Sequence, residues 1–213
     1  MKIKGSWCFD LNDNRENNIL LLKEILSILF EDEILIPEFI VNEKSADIKL
    51  RSNNFEGIFE ELIAASDYIS ERIYGRTIIY NNLNKMEYNR IIEIEYRLYD
   101  GLLFSMSTYS DIWLPMVSDT ESHTFNWNLE NYNCNYFRLN AILQKIDRIV
   151  NWSYTTKFEK DNMPYGLLQA GYHLFLSPEV ITREFHKNPN PDFDLTKYLE
   201  EINSTISLID SGI

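Results

Sequence analysis

Along residues 92–108 apolar and polar positions alternate one for one. Ile92, Ile94, Tyr96 and Leu98 interleave with Glu93, Glu95 and Arg97, and Leu102, Phe104 and Met106 interleave with Leu103, Ser105 and Ser107. That period of two belongs to strands with one dry face. A two-residue turn at Asp100 and Gly101 would put the two apolar sets on opposite faces, because a slip of one residue inverts every side chain. A three-residue loop of Tyr99, Asp100 and a left-handed Gly101 instead sets Leu98 opposite Leu102, Tyr96 opposite Phe104 and Ile94 opposite Met106. The pattern predicts a central hairpin at about residues 90–108, with one face wholly apolar.

Helical spacing governs other stretches. Asp13 followed by Glu16 reads as a capping box, ahead of a stripe of Ile19, Leu22, Ile25, Leu26, Leu29 and Phe30. This helix ends in Glu31, Asp32 and Glu33, the wrong sign for the negative end of a helix dipole; a solvated acidic corner is the expectation. Asn54 is placed to cap a second helix through Phe55, Ile58, Phe59 and Leu62. Asn135 is expected to cap a third, along Leu139, Ile142, Leu143, Ile146, Ile149 and Val150. Ser177 and Pro178 begin a short helix through His186, and Asp194 opens a last one from Leu195 to Ile209.

Strands are expected at Lys2–Phe9, at Ile34–Val41 with Pro37 on an edge or bulge, at Ile48–Leu50, at Arg76–Tyr80 and at Phe125–Leu129, with Trp152–Phe158 returning to the sheet. Strands and helices interleave without a βαβ rhythm. The fold class is therefore α+β, with a mainly antiparallel sheet whose central hairpin is packed by amphipathic helices. Residues 1–213 read as a single α+β domain, with 177–213 as a candidate C-terminal helical subdomain.

Composition narrows the function classes. With 45% hydrophobic residues in 213, the chain can bury a large core. Its net charge of −13 repels nucleic acid and anionic membranes and suits a basic protein partner. Cys8 and Cys134 are too few for a disulfide framework or a cysteine metal site. The apolar run Trp7–Phe9 ends at Asp10, too soon for a signal-peptide core, and Ile19–Phe30 is too short and too often interrupted to span a bilayer. A cytoplasmic location is the expectation.

Chemical motifs are sparse. Gly166 and Gly171 have P-loop spacing, but Tyr172 and His173 stand where lysine and a hydroxyl residue are needed. His123, His173 and His186 lie in separate segments with no HExxH or HxH pattern, and Asp10, Asn12 and Asp13 fail the calcium-loop pattern at Arg15. No catalytic, cofactor-binding or metal-binding residue is assigned. Tyr109, Ser110, Asp111, Ile112, Trp113, Leu114 and Pro115 form the most distinctive stretch, in which aromatics beside a carboxylate could anchor a cationic partner. The competing reading makes Trp113 a core residue and Asp111 a turn cap.

That stretch, with Asn135, Arg138, Leu139 and Asn140 opening an amphipathic helix, resembles bacterial immunity proteins of polymorphic or contact-dependent toxin systems. The resemblance covers roughly residues 88–150; the segment Met116–Cys134 departs from the compact form of such proteins. It implies a small acidic cytosolic protein that binds and blocks a cognate toxin domain without catalytic residues of its own. The expected partner-binding residues are Asp111, Trp113, Asp119 and Glu121. The alternatives are a hydrolase with a dispersed carboxylate and histidine site, and a phage or secretion-system structural protein, for which a symmetric oligomer would speak. The sequence fixes no oligomeric state.

Overall fold

The computed structural model describes residues 5–11, 15–42, 47–65, 71–81, 84–98, 102–119, 124–150, 167–169, 172–174 and 178–200. Among the described residues, besides the helical residues 195–200, ten strands and four helices follow in the order β1 Gly5–Leu11, α1 Arg15–Glu31, β2 Ile36–Asn42, β3 Ile48–Lys49, α2 Phe55–Ala65, β4 Glu71–Asn81, β5 Asn84–Arg97, β6 Leu102–Thr108, β7 Met116–Asp119, β8 Thr124–Trp127, α3 Leu129–Ile149, β9 Leu167–Gln169, β10 Tyr172–Leu174 and α4 Pro178–Lys187. Eight strands form one sheet in the order β3-β2-β4-β5-β6-β1-β10-β9, and every neighbouring pair is antiparallel. The fold is α+β.

The central hairpin is β5 and β6, and its register is the one the alternation requires. Ile94 faces Met106 and Tyr96 faces Phe104; the loop 99–101 lies outside the described residues. Ile92, Ile94, Tyr96, Leu102, Phe104 and Met106 are all buried, on the face where α1, α2 and α3 deliver Leu22, Leu26, Leu29, Ile58, Leu62, Leu139, Ile142 and Ile146. The Tyr96 hydroxyl reaches Glu71 Oε2 at 3.1 Å, which gives this fully buried carboxylate a donor.

β2 carries its proline at a bulge between Pro37 and Phe39, as its missing N–H demands. Gly75 of β4 lies under that bulge. A Cβ there would come within 1.9 Å of the Ile36 carbonyl oxygen, so only glycine admits this approach. β3 is a two-residue edge strand with both residues exposed; of the expected half-buried strand only Leu50 is buried. Asn54 caps α2, its Oδ1 accepting from Gly57 N at 2.9 Å. Pro178 opens α4, and Asp194 Oδ1 accepts from Lys197 N at 2.9 Å at the head of the helical residues 195–200. Phe125 and Trp127 belong to a strand, but β8 pairs with β7 in a separate ribbon. Asp13, Trp152–Phe158, Ser177 and the last helix beyond residue 200 lie outside the described residues.

Asn135 is not a helix cap. α3 starts six residues earlier, at Leu129, and Asn135 is fully buried within it. Its amide accepts from Tyr80 N at 2.9 Å and donates to Tyr80 O at 2.7 Å, acting as one residue of an extra strand. This matters because β2 ends its pairing at Arg76, leaving the rest of β4 without a neighbour on that side. The rim is completed by Ile78 N, which donates to Glu33 O at 2.9 Å, and by Arg138 Nη1, which donates to Ile78 O at 2.7 Å.

The acidic end of α1 is correspondingly not a bare solvated corner. Arg138 Nη2 donates to the Asp32 carbonyl, Lys145 pairs with Asp32 at 2.6 Å and Lys85 with Glu33 at 2.6 Å. Cations from α3 and β5 supply the charge that the helix terminus lacks in its own sequence.

Candidate protein-docking face

The sheet's second face follows from the same alternation. β4 presents Arg72 and Tyr74, β5 presents Glu93, Glu95 and Arg97, and β6 presents Leu103, Ser105 and Ser107. Among the described residues, the buried apolar side chains of the helices all join the hydrophobic cluster with the opposite face. Arg72, Arg90, Arg97 and Leu103 are exposed, whereas Tyr74, Ser105, Ser107 and Tyr109 are half-buried.

The centre of this face is built by a wide bulge. Tyr74 pairs with Glu93 and Arg76 with Asn89, so three β5 residues oppose Gly75 alone. The extra length is taken up by Arg90, whose φ of 53 lies in the left-handed region that a β-carbon disfavours. The bend lays the Arg90 guanidinium over the Tyr74 ring, 4.3 Å from its centroid, and Tyr74 stacks in turn on Phe39 at 5.0 Å. Arg90 Nη2 also reaches Glu93 Oε2 at 3.4 Å, while Arg72 Nη1 lies 3.8 Å from Glu93 Oε1. The Glu93 side chain is only 10% exposed, a carboxylate sunk between two guanidinium groups that stay about half exposed.

Two phenols complete the cluster. Tyr109 Oη donates to Glu93 Oε1 at 3.3 Å, and Tyr74 donates to Asp47. Burial, reinforced by the adjacent carboxylate in each case, pushes both phenols above their ordinary pKa. Two tyrosines are thus held neutral, donating within the cluster, and two arginines with five N–H donors each stay about half exposed. Arg and Tyr in fixed positions around a desolvated centre are the side chains that dominate binding energy at protein interfaces.

The Tyr109–Pro115 stretch has a different role from the one its chemistry suggests. Ser110 Oγ accepts from Ile112 N at 3.3 Å and starts a 3-10 turn over Asp111–Trp113. Trp113 is fully buried, and its Nε1 donates to Thr108 Oγ1 at 2.8 Å. The same hydroxyl donates to Ile91 O at 3.1 Å, tying the turn to β5. Asn128 Nδ2 closes the turn from the other side, at 3.0 Å from Asp111 O and 3.2 Å from Leu114 O. Trp113 therefore has no surface for a partner and is corrected to a core residue. Asp111 is half-buried in the turn; the side chain of Asp119, in β7, and all of Glu121 lie outside the described residues. The member of the stretch that reaches the open face is Tyr109.

The register also bears on the histidines. His173 pairs with Ser6, Ser6 with Ser107 and Ser107 with Glu93. A serine opposite a histidine invites a hydrolytic reading, but Glu93 lies three strands from His173, about 14 Å at sheet spacing. A catalytic carboxylate must lie within hydrogen-bond reach of its histidine, and that backbone separation gives the reading no support. His186 is exposed on α4, and His123 lies outside the described residues. Among the described residues no cluster of His, Cys, Asp and Glu could hold a metal ion, and no helix is long and apolar enough to cross a membrane. Compared with protein-family models, curated proteins and solved structures, the chain matches none.

Proposed function

We propose that this chain is a cytoplasmic protein-binding module, an immunity (antitoxin) protein that binds and blocks a basic toxin domain, whose acidic or aromatic anchor groups meet the face centred on Tyr74, Arg90, Glu93 and Tyr109. The observation carrying this reading is the preformed cluster itself: Arg90 stacked on Tyr74 and tied to a nearly buried Glu93. Side chains already immobilised lose little entropy on binding, so their contacts convert into affinity. The net charge of −13 supplies the second half of the reading, because an acidic body speeds encounter with a basic partner while the central aromatic and arginine contacts set the lifetime of the complex. The resemblance of residues 88–150 to immunity proteins points the same way. No bond-breaking step is assigned to the chain.

The test is co-expression with the product of the adjacent reading frame. The pair should co-purify and the toxicity of that product should be relieved. Tyr74→Ala and Arg90→Ala should each weaken binding by about thirtyfold or more, the range of interface anchors. Toxicity unrelieved by this protein, or binding untouched by either substitution, rejects the assignment.

A further inference from the structure

The β4–β5 hairpin extends beyond the rest of the sheet, and its two rims are treated differently. On the β4 rim, the outward groups of Ile78 and Tyr80 are taken up by Glu33, Arg138 and Asn135. Antiparallel ladders alternate, so Thr77 and Ile79 exchange hydrogen bonds with Tyr88 and Met86, and Lys85, Glu87 and Asn89 must direct their N–H and C=O groups away from β4. β6 does not reach them, since its pairing with β5 begins at Ile92. Among the described residues nothing hydrogen-bonds to those outward groups. An unprotected rim of this length, with no proline and no bulge before Arg90, is a template for another strand.

We infer that this rim pairs antiparallel with the same rim of a second copy of the chain, about a two-fold axis at Met86. The choice of occupant follows from charge. Three two-fold registers bring outward groups face to face. An axis at Glu87 sets that carboxylate against its own copy. An axis at Tyr88 loses its outer pairs because Ile91 O already accepts from Tyr109 N at 2.9 Å, and its two remaining pairs set Glu87 opposite the uncharged Asn89, with no charge complementarity. An axis at Met86 sets Lys85 of each copy opposite Glu87 of the other, in two pairs that each exchange two backbone hydrogen bonds. The lysine and glutamate that would repel a random strand are thus complementary to their own copy. Their present partners, Glu33 and Arg76, are surface ion pairs that cost little to share. So short an interface gives a weak, concentration-dependent dimer. This inference is independent of the docking face.

Sedimentation velocity from low micromolar to near-millimolar chain tests it, with amide exchange read at Lys85 and Glu87. The wild type should dimerise with concentration and gain protection at those amides. Lys85→Glu alone and Glu87→Lys alone should each weaken self-association roughly tenfold, by setting like charges opposite. Mixing the two variants should restore a heterodimer, and the double swap should dimerise like the wild type. Glu87→Pro removes an outward donor without touching the ladder to β4, and should abolish dimerisation with an unchanged far-ultraviolet circular dichroism spectrum. A chain monomeric throughout, variants that fail to complement, or a dimer indifferent to Glu87→Pro overturns the inference. Protection independent of concentration would mean that a segment of the same chain lies on the rim, and overturns it as well.

Discussion

The two faces of the central sheet carry the same strands and opposite chemistry. On one, Ile94, Tyr96, Phe104 and Met106 disappear beneath three helices; on the other, Arg72, Tyr74, Arg90 and Glu93 are held in place by one another. The lesson is that order does not require coverage here. The open face is fixed by a bulge, a stacked guanidinium and a nearly buried carboxylate shared by two half-exposed arginines, so it can be rigid without contributing much to stability.

That contrast makes graded predictions. Phe104→Ala should cost about 3–5 kcal/mol in urea unfolding, because a fully buried ring is lost and its cavity cannot collapse beneath the helices. Asn135→Ala should cost about 2–4 kcal/mol, since it strands both backbone groups of Tyr80 without a partner. Arg90→Ala should change stability by about 1 kcal/mol while weakening partner binding, for the Arg90 end of the ion pair is half exposed and Glu93 keeps Arg72 as a partner. A loss from Arg90→Ala as large as that from Phe104→Ala would show the open face to be structural and erase the contrast.

The smallest effect is one of slope. The folded-state pKa of Tyr109 lies above its unfolded value of 10.0 because burial and Glu93 both oppose the phenolate. Its contribution to stability is therefore complete below pH 10.0 and is lost as pH rises through the raised folded value. In Tyr109→Phe, unfolding midpoints above about pH 10 should fall less steeply than in the wild type, with any constant offset reporting the lost hydrogen bond to Glu93. Parallel curves would show that Tyr109 titrates as an exposed phenol.

The sequence made the first face legible and hid the second. Alternation sets the parity of the β5–β6 register, because only an odd-numbered loop unites the apolar residues on one side, and the left-handed glycine at the end of a three-residue loop selects among those. Pro37 at a bulge and Asn54 at a cap follow from a missing donor and an available acceptor. Asn135 misleads because asparagine caps helices by default, and the polar run of Asn131, Asn133 and Asn135 masks the first two turns of α3. The signal was present in Tyr132 and Tyr136, which stack at 4.8 Å and carry the buried stripe back toward the start of the helix. Trp113 exposes a deeper limit, since an indole has the same composition in a core as on a binding surface. Arg72 and Tyr74 were missed because Gly75 interrupts their alternation; the period of two resumes if that glycine is read as a close approach within one longer strand.

The capping of the β4 rim also sets an order on the chain's birth. The hairpin of residues 71–97 leaves the ribosome well before Asn135 and Arg138, and until they emerge the Ile78 carbonyl and both backbone groups of Tyr80 are bare. For that interval the nascent arm has two sticky sides where the finished protein has one. Chains stalled before α3 should therefore be the ones that chaperones hold and that scatter light on release, and a stalled chain that stays clear would show that the arm protects itself.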